Sequence, residues 1–185
     1  MKVPQITLYL LLFGLLIIGS SNTNSSTTLI WESDRKLSWD DFQGKPDYNF
    51  DDVSALTSSG IIHYKGCEDG NIVYKVQAYF EKTSSWVKPE AYTNHHLSHE
   101  QIHFDITELY ARKLRKSLEK RKFRCGEEER FDAFVANFLR KWQTAQIRYD
   151  NQTHYSMKPA IQNEWKYLIA MELSLYDSYR NTEGF

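Results

Sequence analysis

The stretch Ser98-His99-Glu100-Gln101-Ile102-His103-Phe104-Asp105 decides how the rest of the chain is read. It contains the pattern H-E-x-x-H. On an α-helix, residues four apart share a face, so His99 and His103 can direct two imidazoles at one metal ion. Glu100 is next to the first of them and can reach a water on that ion without ligating the ion itself. Five positions with three fixed also arise by chance in solvated helices, so the pattern needs its context. That context is helical. Ile102, Ile106, Leu109, Tyr110, Leu114 and Leu118 continue at three- and four-residue steps and lay an apolar stripe beside the histidine face.

Zinc of this kind takes two histidines, a third protein donor and an open position. The neighbouring histidines cannot supply the third donor. His95 and His103 are eight residues apart, about 12 Å along a straight helix, and His96 fails with His103 for the same reason. Asp105 and Glu108 point off the histidine face, although Asp105 is a candidate acceptor for a ligand imidazole. The donor must return from later in the chain. Tyr149-Asp150-Asn151-Gln152-Thr153-His154-Tyr155 concentrates His, Asp and Tyr between two helices. His154 is the first choice there and Asp150 the second, with Glu164 and Glu172 further off. Tyr155 is a candidate donor to a developing oxyanion, or else a packing residue.

The 185 residues suit one domain with a real core, and the formal charge of -1 gives no electrostatic reason to expect nucleic acid as a partner. At the N-terminus Lys2 precedes an apolar run, Ile6 to Ile18, and then Gly19-Ser20-Ser21. The run is shorter than the roughly 20 apolar residues of a spanning helix. Residues 1–21 therefore read as a secretory signal peptide, with an uncleaved membrane anchor as the rival. Residues 22–30 read as a polar, disordered lead-in, and residues 31–180 as a single domain. Export places Cys67 and Cys125 in an oxidising compartment, where a disulfide and two free thiols are both open.

Within the mature part, Trp31, Leu37, Trp39 and Phe42 form an aromatic opening expected to wrap onto the core. Ala55 to Lys65 and Ile72 to Lys82 read as two antiparallel strands joined by Glu68-Asp69-Gly70-Asn71, with Cys67 near the tip and His63 in the first strand. Trp86 to Pro89 breaks that pattern. The H-E-x-x-H helix is expected from Pro89 or Glu90 to about Lys120. A second helix follows Cys125-Gly126, with Glu127, Glu128 and Glu129 in its first turn, and stops near Tyr149-Asp150-Asn151. A third starts around Pro159, with Ile161, Trp165, Leu168, Ile169 and Leu175 on its inner side.

Several of these strings resemble a bacterial family of exported H-E-x-x-H proteins of unknown function (domain of unknown function 922), labelled there as secreted zinc-dependent proteases. The carriers are Trp39-x-x-Phe42-x-Gly44, Ser85-Trp86-Val87, His99-Glu100-Gln101-x-His103-Phe104-Asp105-Ile106, Tyr149-Asp150-x-x-Thr153 and Gln162-x-x-Trp165. They span most of the mature chain. The resemblance implies a metal-binding, protease-like domain. In one place the chain departs from that family, which shows a histidine two residues after the threonine; here Tyr155 stands there and the histidine is His154.

The expected fold is α+β, an N-terminal antiparallel hairpin or small sheet packed on three helices, zincin-like, with H-E-x-x-H on the first long helix. The expected protein is exported, periplasmic or extracellular, and is a zinc metallopeptidase acting on a peptide or protein substrate. His99, His103 and His154 would hold Zn2+, with Glu100 as general base. Membrane contact is expected only through an uncleaved N-terminal segment. The rival is a non-catalytic exported binding or structural protein that keeps a zinc site. A metal-free, aromatic-rich binding domain is the third reading.

Overall fold

Alternation of apolar and polar residues drives the hairpin that opens the core. β3 (Ser59–Glu68) and β4 (Asn71–Glu81) pair antiparallel from Ser59↔Phe80 to Glu68↔Asn71. Asp69 and Gly70 close the hairpin with φ of 46° and 74°, the left-handed pair that two-residue turns require. Ile72, Val76, Ala78 and Phe80 of β4 are buried. The computed structural model describes residues 26–50 and 53–180. The signal-peptide reading of residues 1–21 lies outside the described residues, as do the start of the lead-in and residues 181–185.

Three local differences from the sequence reading concern strands. Thr28–Ile30, read as the end of the lead-in, forms β1 and pairs with β4 through Thr28↔Glu81 to Ile30↔Tyr79. Ala55–Leu56 separates from the long strand as β2. Trp86–Val87, read as a break, becomes β5 and pairs with β2 in a second, two-stranded sheet. Ser85 makes the crossover possible: its buried hydroxyl accepts from Ser58 N at 2.9 Å and donates to Glu81 O at 2.7 Å. Gly44 packs under the same corner, where a Cβ would stand 2.8 Å from Ser85 O. The aromatic opening wraps as expected, Phe42 meeting Trp39 at 5.0 Å and Phe80 at 5.2 Å between ring centres.

Three helices complete an α+β fold. α1 (Asn94–Arg121) begins later than its apolar pattern suggested, because the Thr93 hydroxyl caps it by accepting from His96 N at 3.1 Å. Pro89–Ala91 forms a separate 3-10 turn. α1 is the central element, packed on β3 and β4 on one side and on α2 (Glu128–Thr153) and α3 (Pro159–Leu175) on the other. Ile102, Ile106, Leu109, Leu114 and Leu118 are all buried, as the stripe required. α3 turns differently from its reading. Gln162 and Ile169 are buried while Leu168 and Leu175 are exposed. The rotation follows from Gln162 Nε2 donating to His95 O at 3.1 Å, which turns that side of α3 toward α1.

Cys67 and Cys125 form a disulfide that joins the hairpin tip to the segment before α2. Ile72 N donates to Phe123 O at 2.9 Å and Cys125 N to Gly70 O at 3.1 Å alongside it. Such a bond is compatible with an oxidising compartment. Among the described residues, no helix is long and apolar enough to cross a membrane.

Candidate metal centre

α2 continues through Thr153, a few residues past its expected stop, so Asp150 sits in its last helical turns rather than in a loop. That extension brings Asp150 to α1. Its Oδ1 lies 3.2 Å from His99 Nε2 and 2.9 Å from His103 Nε2, and the two Nε2 atoms are 3.2 Å apart. These three residues are a group that could hold a metal ion. Donors of tetrahedral zinc, each about 2.0–2.1 Å from the ion, stand about 3.3 Å from one another. The observed triangle, 2.9–3.2 Å on a side, is close to that size.

The tautomer of His103 follows from its neighbours. Gln146 Nε2 donates to His103 O and to Thr107 Oγ1, both at 3.0 Å, so Gln146 Oε1 is left to accept. His103 Nδ1–H donates to it at 2.7 Å, and the lone pair of His103 Nε2 faces the centre. Tyr149 stacks on the His99 ring at 4.6 Å and 22°, fixing its plane, and His99 Nδ1 is buried without a hydrogen-bond partner among the described residues. Acceptor atoms that converge in this way repel one another unless something positive lies among them. The titration of the group says the same. Burial opposes a charged ring, yet the hydrogen bond and charge of Asp150, helped by Glu100 and Gln146, push the His103 pKa up to about 9. Burial likewise works against the Asp150 carboxylate, and the two histidines outweigh it and hold the group well below the usual carboxylate range. The Tyr149 phenol is pushed far up by burial and by the charges of Glu100 and Asp150, so it stays neutral.

Glu100 is 3% exposed, and its Oε2 has no hydrogen-bond partner among the described residues. It opens with His99, His103 and Asp150 onto one cleft of about 510 Å³. Segment 53–59 forms one wall of the cleft. Trp142, Gln143 and Ile147 of α2 form the other, and Tyr155 and Ser156 also line it.

Of the residues singled out from sequence, His99, Glu100, His103 and Asp150 come together. His154 does not join them: it caps the C-terminus of α2, exposed, with φ of 52°. Neither the donor group nor the cleft lining includes it. Tyr155 reaches the cleft and is 41% exposed. Asp105 holds no imidazole. It accepts from Trp31 Nε1 and Gln101 Nε2, both at 2.8 Å, while Gln101 Oε1 accepts from Leu37 N at 2.7 Å. The Gln and Asp of the extended motif therefore tie the aromatic opening to α1. Glu108 is buried against Arg112 and Arg115 and serves the packing of the C-terminal turn. His95 Nε2 donates to Ser156 O at 2.6 Å and is not part of the donor triangle. Glu164 and Glu172 line a different depression between α2 and α3. Sequence reasoning missed Gln146 and Ser156, and it quoted Tyr149 without giving it a role. A step of four back from Asp150 would have found Gln146 on the same helical face.

Residues 75–157 match a family described as bacterial protein of unknown function (DUF922). The matched part runs from β4 to the turn after α2, so the donor triangle, Glu100 and Ser156 all lie inside it. This supports the DUF922 resemblance over those residues, and the description assigns neither a metal nor an activity. No match was found among curated proteins or among solved structures.

Proposed function

We propose that the chain is an exported zinc-dependent peptidase of zincin-like design, in which His99 Nε2, His103 Nε2 and Asp150 Oδ1 hold the ion. The observation that carries this reading is Glu100 Oε2, a buried carboxylate oxygen without a hydrogen-bond partner among the described residues, in the same cleft as three converging donors. Zinc in a three-donor set acidifies a coordinated water and polarises a carbonyl.

The chain's own residues do the rest. Gln146 and Tyr149 hold the two rings so that their lone pairs face inward. Glu100 accepts a proton from the attacking water as the water oxygen bonds to the peptide carbonyl carbon. It then delivers that proton to the amide nitrogen as the C–N bond breaks, which returns the carboxylate to its starting state. Segment 53–59, with β2 at the border of a two-stranded sheet, offers main-chain groups along which an extended peptide can lie.

The test is Glu100→Gln, which keeps the volume and removes the base. Elemental analysis should find zinc retained. Chelator-sensitive cleavage of a peptide library should drop by about 10²–10⁴-fold. Undiminished cleavage in the variant removes the mechanism. Stoichiometric zinc in a wild-type protein that cleaves nothing in the library turns the reading into the non-catalytic one.

A further inference from the structure

We propose that Ser156 is the cleft's hydrogen-bond donor to the carbonyl oxygen of a bound peptide, presented by a left-handed turn that α1 clamps in place. The proposal rests on the peptidase reading above.

Three successive non-glycine residues, His154, Tyr155 and Ser156, have φ of 52°, 49° and 75°. L-residues adopt that region reluctantly, and a run of three persists only where the surroundings over-determine it. The surroundings do so here. Tyr155 N donates to Asp150 O at 3.0 Å, Lys158 N to Thr153 O at 2.9 Å, and His95 Nε2 to Ser156 O at 2.6 Å. His95 is in turn held through its own carbonyl by Gln162 of α3. The turn is thus tied to α1, α2 and α3 together.

The strain has a product. Ser156 is 4% exposed, it lines the cleft that holds Glu100 and the donor triangle, and its Oγ has no hydrogen-bond partner among the described residues. A buried hydroxyl without a partner is costly. If the turn served only to connect α2 to α3, glycine at φ of 75° would relieve both costs at once. A hydroxyl that awaits an acceptor oxygen accounts for the serine, its burial and the strained backbone together. A carbonyl oxygen that gains negative charge during attack is such an acceptor, and preorganised donors act most strongly on it in a desolvated cleft. Tyr155 also lines the cleft, but its exposure leaves its hydroxyl free to be satisfied by solvent.

The test compares wild type with Ser156→Gly and Ser156→Ala, all loaded with zinc and checked for equal metal content. A peptide phosphonate, which carries a tetrahedral anionic centre, is titrated calorimetrically. Both variants should bind it about tenfold or more weakly, and kcat on a cleaved peptide should fall by about 100-fold. Ser156→Gly should at the same time raise Tm by about 2–4 °C, since it releases backbone strain. A merely structural serine gives the opposite thermal result, so a lower Tm in Ser156→Gly overturns the proposal. If wild type binds the phosphonate and cleaves peptides while both variants do so equally well, this inference fails and the peptidase reading stands. If the zinc-loaded wild type neither binds the phosphonate nor cleaves, both fall.

Discussion

Asp150→Ala and His154→Ala make the sharpest contrast at the scale of single residues. Losing Asp150 removes a donor from the triangle, so zinc affinity should fall by more than the roughly 10–100-fold that losing an outer partner costs. His154→Ala should leave it unchanged, as read by competition with a chromogenic chelator. Gln146→Leu tests the tautomer argument and should fall within that 10–100-fold range. The pH dependence follows from the two shifted groups. His103 is raised from 6.5 to about 9 in the folded protein. Its contribution to the stability of the metal-free protein is therefore present below about pH 6.5 and is lost as pH rises through 9. Asp150 is depressed, so its contribution is present above its ordinary value of 3.8 and is lost as pH falls through the lowered one. Tm of chelated protein should thus decline between pH 6.5 and 9.5. Zinc must displace the His103 proton, so its apparent affinity should fall about tenfold per pH unit below 9. The two trends run in opposite directions, which separates them. That His99 and His103 stand together, with Glu100 in the same cleft, was legible in sequence, because a period of four is visible in a string. The sequence reading ranked His154 over Asp150 because residue type suggested histidine. Which of the two faces α1 depends on where α2 ends, and helix ends are set by local backbone contacts that a string does not display.

At the scale of elements, α1 organises everything else, and its start is set by one threonine. Thr93→Ala should cost about 1 kcal/mol through loss of the cap. That is a drop of about 2–4 °C in Tm for a chain of this size. The apolar stripe of α1 and the β3–β4 hairpin were legible because both periods are strong. β1, β2 and β5 were not. Two- and three-residue strands carry no period, and their pairing depends on Ser85 and Gly44, residues whose importance is tertiary. α3 was misrotated for a related reason. Leucines at 168 and 175 outvote a glutamine in a hydrophobic pattern, yet the glutamine at 162 makes the contact that fixes the helix. Its exposed companions Tyr167, Leu168 and Leu175 leave an apolar outer face.

At the scale of the whole molecule, three ties hold distant parts together. The Cys67–Cys125 disulfide ties the hairpin to α2, with a sequence separation of 58. Replacing both cysteines by alanine should cost about 2–4 kcal/mol in chemical denaturation. The donor triangle ties α1 to α2. Free zinc at about 100 times its dissociation constant should stabilise the fold by about 2.7 kcal/mol, and a strong chelator should remove that increment. Buried Glu108, with Arg112 and Arg115, adds a third tie, reaching Leu173 O and Tyr179 O at 2.7 Å each.

α2 is 26 residues long, about 39 Å from end to end. One tip follows Cys125 and the other bears Asp150. A stiff rod pinned at its foot has a head that can wander only so far. Thiol chemistry at the foot should therefore be felt at the head: mild reductant, added without denaturant, should loosen the grip on zinc although the disulfide lies at the opposite end of α2.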